Sequence, residues 1–289
     1  MRAAVTWDIA VAGTVHVDDI TTPTGRRPTQ LGGSAVYFAL AAADPATVHL
    51  NGIVGRDHAA AFIELLRDTC INLDGMVISN QPTFRWQVRH DFERWIAVDT
   101  VSDEGCDPSW QPRLPPAAAD AQVLFLASMR PALQRDVLAQ SSARLAAADS
   151  MTDYTGPERD AVREVAHACD VLFLNRNELA SLTGTPVTTW RQEAIAMCGV
   201  GRLRAVVVKG GPGGASVVTE DGVISRPAAR VDEVVDPTGA GDALAGGFLA
   251  ACAVAQRDDT GFFATALEAG LQCAARAISQ FGVAGLQRR

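Results

Sequence analysis

The chain has 289 residues, 48% of them hydrophobic, and a formal net charge of -8. That is enough apolar material for one large α/β core and excludes disorder as the default, while the acidic balance and the lack of a dense basic run exclude nucleic acid as the main partner. No apolar run reaches the roughly 18 residues a membrane span needs, and the opening MRAAVTWDIAVAG lacks the basic and long apolar segments of a secretion signal, so a cytoplasmic protein with no membrane partner is expected.

In chain order, short apolar runs predict strands at Ile9 to Ala12, Val48 to Asn51, Val123 to Leu126, Leu145 to Ala148, Val171 to Leu174 and Ala205 to Lys209. Helical periodicity predicts helices at Ser34 to Ala43, Ala59 to Thr69, Ala132 to Gln140, Pro157 to Ala166 and Thr189 to Met197. This alternation is the signature of a doubly wound, mostly parallel sheet with helices on both faces. Two segments break the rhythm. Val15 to Ile20, with the turn-rich TTPTGRRPT after it, and Phe84 to Thr100, a hairpin around Asp91, form a candidate β lid at about 14–30 and 84–100. The second segment carries Arg85, Trp86, Arg89, His90, Arg94 and Trp95, a mixture suited either to covering a substrate or to a homodimer contact. The chain closes with a hairpin, Ala215 to Thr219 and Gly222 to Arg226, then helices at Gly241 to Ala255 and Phe262 to Gln280. The whole reads as a single α/β domain over 1–289. Its six cysteines are scattered, with no Cys-x-x-Cys pair, and are expected to be reduced thiols.

The chemistry concentrates in VVDPTGAGDALAGGFLAA, from Val234 to Ala251. An apolar run leads through Asp236, Pro237 and Thr238 into the small-residue turn Gly239-Ala240-Gly241, and then a helix with Asp242 in its first turn. Small residues let backbone amides approach an anion, and the helix start adds unpaired N–H groups and the positive end of its dipole. A carboxylate beside such a site can take a proton from a hydroxyl held there. The bland alternative is that Asp242 only caps the helix. A dinucleotide fingerprint is disfavoured because Leu244 occupies the third small position.

Asp236-Pro-Thr-Gly-Ala-Gly-Asp242, continued by Ala-Leu-Ala-Gly-Gly-Phe, resembles the signature of the ribokinase-like, or phosphofructokinase B, carbohydrate kinases. The resemblance extends over nearly the whole chain. It implies a ribokinase-like fold, ATP and Mg²⁺ as cofactors, Asp242 as the base that activates the acceptor hydroxyl, an anion hole of Gly239, Ala240, Gly241 and Asp242 amides, and Asp236 and Thr238 near the triphosphate. Asn175-Arg-Asn-Glu178 looks like the family's metal motif and implies that Asn175 and Glu178 help to hold Mg²⁺ through water. Alone, the same residues read as an ordinary helix start. Lys209, the chain's single lysine, with Gly211 and Gly214, resembles the nucleotide-side strand and turn. On the acceptor side, Gly32 and Gly33 resemble the family's Gly-Gly segment, and His16 and Asp18 its first-strand polar pair, with Asp19 a rival for the carboxylate role. Tyr37 and His16 stand where many members carry Asn, which implies an altered substrate.

The expected activity is phosphorylation of a hydroxyl on a small sugar or polyol. A nucleoside acceptor is the alternative within the family, and a catalytically idle nucleotide or metabolite binder the alternative outside it.

Overall fold

The computed structural model describes residues 7–43 and 45–287; the opening six residues, on which part of the leader reading rests, and both outermost ends of the single-domain span lie outside the described residues. Among the described residues there are thirteen strands: β1 (Ile9–Ala12), β2 (His16–Thr22), β3 (Gly25–Gly32), β4 (Val48–Gly55), β5 (Ile71–Ser79), β6 (Arg85–Asp91), β7 (Ile96–Asp103), β8 (Val123–Leu126), β9 (Leu145–Asp149), β10 (Val171–Asn175), β11 (Ala205–Lys209), β12 (Ala215–Thr219) and β13 (Gly222–Arg226). The helices are α1 (Ser34–Ala42), α2 (Arg56–Leu66), α3 (Pro116–Ala119), α4 (Pro131–Leu138), α5 (Thr152–Thr155), α6 (Arg159–Ala168), α7 (Arg176–Thr183), α8 (Trp190–Met197), α9 (Ala240–Ala255) and α10 (Thr260–Ala277).

Nine strands form one sheet in the order β13-β12-β11-β10-β9-β8-β1-β4-β5. From β11 to β5 every pairing is parallel, and only the closing β11-β12-β13 meander is antiparallel. Strands buried on both faces must be apolar throughout, as β1, β8 and, up to its final Asn175, β10 are. Alternate side chains feed two cores: Ile9 and Val11 belong to one, Ala10 and Ala12 to the other. The first core holds a run of rings from Phe38 through Phe125, Phe173 and Phe248 to Phe263, with successive centroids 4.3, 5.9, 5.4 and 5.4 Å apart. It locks α1, α9 and α10 onto one face of the sheet, and so sets where the first turn of α9 lies.

A second, four-stranded sheet has the order β3-β2-β6-β7 and takes in both segments read as a lid. Arg85 Nη1 to Asp19 Oδ1, at 3.1 Å, cross-links β6 to β2. Besides the short helices α3 and α5, which the sequence reading did not place, three elements differ from the sequence expectation. Gly25–Gly32 is a strand despite its Arg-Arg-Pro; as an edge strand it tolerates a proline that a central strand would not. Ile71–Ser79 is the far edge of the large sheet, half exposed, with an irregular register against β4 around Asn51 and Gly75, so it carries neither a continuous apolar run nor clean alternation. Arg176–Thr183 forms a helix whose start was legible at Asn175 to Glu178 but whose extent was not placed.

Candidate active site

The amino end of α9 is built by one residue that needs a left-handed backbone. Gly239, the N-cap, has φ 71°, and a Cβ there would lie 2.1 to 2.5 Å from atoms of the Tyr37 ring, so glycine alone satisfies both the turn and the contact. Asp236 braces the turn from below, its Oδ1 accepting from Thr238 N at 3.0 Å and its Oδ2 from Gly282 N at 2.8 Å. No side chain caps α9, so its opening amides keep their capacity for an anion. Asp242 is not the N-cap residue, and the backbone hydrogen bond of its carboxyl is to its own amide. It keeps partial solvent access although protein surrounds it closely, as at the floor of a cleft. Burial, and then the neighbouring Asp149 charge, push its carboxyl up to about 8 against the opposing pull of Lys209 and His16.

The carboxyl ends of the parallel strands supply the next group, as expected for ligand sites on open α/β sheets. Asn175 and Lys209 are register partners at the ends of β10 and β11, and Asp149 ends β9. Lys209 Nζ lies 2.9 and 2.7 Å from the two oxygens of Asp149 and 3.9 Å from Glu178 Oε2. Burial disfavours its charge, but Asp149 and Glu178 outweigh that and hold the ammonium above its usual range. Two carboxylates share one cation in a dry place, so burial still carries Glu178 up to about 7. The lysine stem runs close to Gly241, where an added Cβ would meet Nζ at 3.2 Å. Asn175 and Glu178 form a reciprocal capping box on α7: Asn175 Oδ1 accepts from Glu178 N at 2.9 Å, and Glu178 Oε2 from Asn175 N at 2.6 Å. Among the described residues, no three His, Cys, Asp or Glu side chains converge to hold a metal. Asn175 and Glu178, the residues expected to hold Mg²⁺ through water, each commit one oxygen to this capping box.

The residues expected on the acceptor side come from β2, the β3–α1 junction and the lid. His16 Nε2 is 2.9 Å from Asp18 Oδ1. Burial lowers the imidazole's proton affinity, but Asp18, Asp107 and Asp242 together raise it above its usual value. Asp18 Oδ2 presses on Gly32, where a Cβ would come within 2.2 Å, and Gly33 at φ 105° lies against the Thr14 carbonyl. Asp18 Oδ2, His16 Nδ1 and the Tyr37 hydroxyl are buried with no hydrogen-bond partner in the protein. Asp19, the rival to Asp18, accepts from Thr29 N and Arg85 and belongs to the lid's own framework.

The fold thus draws His16, Asp18, Gly32, Gly33, Tyr37, Gly239, Ala240, Gly241, Asp242, Lys209, Asn175 and Glu178 toward one end of the sheet. Asp236 is fully buried with both oxygens committed to backbone. Gly211 is exposed, and Gly214 serves a close approach to the Arg226 carbonyl; both lie on the loop after Lys209. Asp149 and Asp107 escaped the sequence reading, and His90 was read only as part of the lid. Asp149 had a usable signal, an acid directly after an apolar strand. His90 Nε2 reaches Thr238 Oγ1 at 2.8 Å from the lid, and burial lowers its pKa to about 4, so it bonds as a neutral ring. Asp107 had no signal, because it sits in an irregular turn.

The model for pfkB family carbohydrate kinases matches residues 9–288. A cytidine kinase of Thermococcus kodakarensis is 29% identical over 251 residues, 84% of this chain and 87% of the relative. Among solved structures, a Vibrio cholerae fructokinase double mutant bound to fructose, ADP and potassium superposes with a TM-score of 0.79 at 22% identity, covering 99% of this chain and 96% of that one. A Burkholderia thailandensis nucleoside kinase in complex with inosine gives 0.72 at 18% identity over 95% and 92% of the two chains. These likenesses extend over both sheets and show a ribokinase-like fold.

Proposed function

Because this chain belongs to the pfkB family of carbohydrate kinases, we propose that it phosphorylates a hydroxyl of a small sugar, polyol or nucleoside at the expense of MgATP, with Asp242 as general base. The observation that carries this reading is an uncapped helix start, turned by Gly239, with a half-accessible carboxylate in its first turn whose pKa lies near 8. A base tuned close to the working pH combines a useful ionised fraction with proton affinity. Bound MgATP supplies the phosphoryl group. Asp242 takes the hydroxyl proton while the acceptor oxygen bonds to phosphorus and the bond to the departing ADP breaks. The Gly239 to Asp242 amides bear the charge of the group in flight, and Lys209, held by Asp149, adds a fixed positive charge behind Gly241. Glu178 and Asn175 are suited to hold waters of the magnesium ion.

A nucleoside acceptor is favoured over a free sugar by the rings at the acceptor side. His16 packs 4.9 Å from Phe84 and 6.4 Å from Trp86, and both lid rings are only half-buried, leaving aromatic surface for a base to lie on. The resemblance to a cytidine kinase supports the same choice.

Asp242→Asn is the direct test. Turnover is expected to fall by at least ~10²-fold, the scale of a general base, with ATP affinity nearly unchanged. Acceptor-dependent ADP release at the wild-type rate in that variant refutes the assignment.

A further inference from the structure

Buried polar atoms without partners are few in folded proteins, and a group of them marks where a ligand completes the bonding. Around His16 there are four: its own Nδ1, Asp18 Oδ2, the Tyr37 hydroxyl and Asp107 Oδ1. The first three belong to the acceptor face described above. Asp107 comes from elsewhere, opening the short 3-10 turn Asp107–Ser109 just beyond β7 of the lid. Its buried Oδ1 has no hydrogen-bond partner in the protein, although the charges of Arg130 and Glu104 also act on the carboxyl. The turn is closed by backbone bonds, Asp107 N to Glu104 O at 3.0 Å and Trp110 N to Asp107 O at 3.1 Å, which any residue would make. Yet its carboxyl is held close enough to His16 for each to act on the other's charge, and burial carries it up to about 6, leaving it mostly ionised near neutrality. A carboxylate with a buried, unused oxygen costs stability unless something donates to it, and His16, on whose charge it acts, packs against half-exposed Phe84 and Trp86.

Resting on the nucleoside reading above, we propose that Asp107 is a specificity residue for the acceptor: its carboxylate receives the exocyclic amino group of a nucleobase lying against Phe84 and Trp86, while Asp18 holds the sugar hydroxyls. An ionised carboxylate only accepts hydrogen bonds, so a base that presents a carbonyl at the same point faces it oxygen to oxygen. The acceptor class is therefore amino-bearing nucleosides, cytidine or adenosine, in preference to uridine or inosine.

Initial rates of ADP formation with MgATP and cytidine, adenosine, uridine, inosine or ribose test this, each giving kcat/KM. Cytidine or adenosine is expected to exceed its carbonyl counterpart, uridine or inosine, by at least about tenfold, since a site built around one hydrogen-bonding group rejects the analogue that lacks it. Comparing the two pairs tells pyrimidine from purine. Asp107→Asn should shrink the ratio to within about threefold with the KM for ATP unmoved, and Asp107→Glu should retain the order. Equal use of amino-bearing and carbonyl-bearing bases by the wild type overturns the proposal, as does an unchanged ratio in Asp107→Asn, and the wild-type panel decides even if that variant does not fold. ADP release with ribose alone sinks the nucleoside reading and this inference with it. No ADP with any of the five acceptors likewise overturns the nucleoside reading and this inference.

Discussion

A carboxylate at a helix start ordinarily titrates at or below its usual value, because the opening amides and the dipole favour the charged form. Asp242 goes the other way, to about 8, because burial and Asp149 outweigh Lys209 and the helix. The consequence for activity is that kcat/KM for the acceptor should rise with pH along a single ionisation near 8, read from a pH–rate profile. The consequence for stability has the opposite sense. The folded state holds this proton up to about 8 and the unfolded chain only to about 3.8, so the contribution is complete below the lower value and is lost as pH climbs through the upper one. Asp242→Asn, which cannot ionise, should therefore gain in melting temperature relative to wild type between pH 5 and pH 9. A difference that stays flat across that window would mean that Asp242 is ionised throughout.

At the scale of elements, the position of α9 decides the geometry of the turn before it, and that position depends on two glycines. A Cβ on Gly246 would lie 2.6 Å from the Phe38 carbonyl of α1, and one on Gly247 2.7 Å from Cys273 Sγ of α10. At Gly246 the obstacle is backbone, which cannot rotate away. Gly246→Ala is thus expected to lose about 1–3 kcal/mol in urea unfolding, the cost of overpacking, despite the helix preference for alanine. It should also raise the KM for ATP, because α9 and its opening amides shift together. The capping box on α7 does a similar local job, fixing Glu178 next to Lys209 through Asn175.

At the scale of the whole molecule, the large sheet and the lid sheet meet around the site proposed for the acceptor. His90 on β6 is bonded to Thr238 in the turn before α9, so lid and anion site are joined within one chain. The lid sheet ends at β7, an edge strand whose Val101 is 59% exposed and whose flank carries Ile96 and Trp95, exposed at 37% and 44%. Exposed apolar edges invite pairing with another chain. The lid is therefore expected to join two copies, seen as a concentration-dependent dimer in sedimentation, and Val101→Glu should shift it to monomer. A wild type that stays monomeric up to high concentration would contradict this.

Much of this was legible along the chain because it rests on local rules. Apolar strands covered on both faces, alternation with helical periodicity, and a small-residue turn before an aspartate each announce themselves within a few residues. Gly25–Gly32 and Ile71–Ser79 did not, since edge strands face solvent and lack the apolar pattern that burial imposes. Nor could local rules choose between Asp18 and Asp19, which differ only in the face of β2 they occupy: one is buried against Gly32, the other is tied to Arg85. The convergence of Asp149 and Lys209, 60 residues apart, of His90 and Thr238, 148 apart, and of Asp107 with His16 was decided by the tertiary structure alone. Such meetings depend on strand order and on which faces turn toward each other, and no stretch of sequence carries that information by itself.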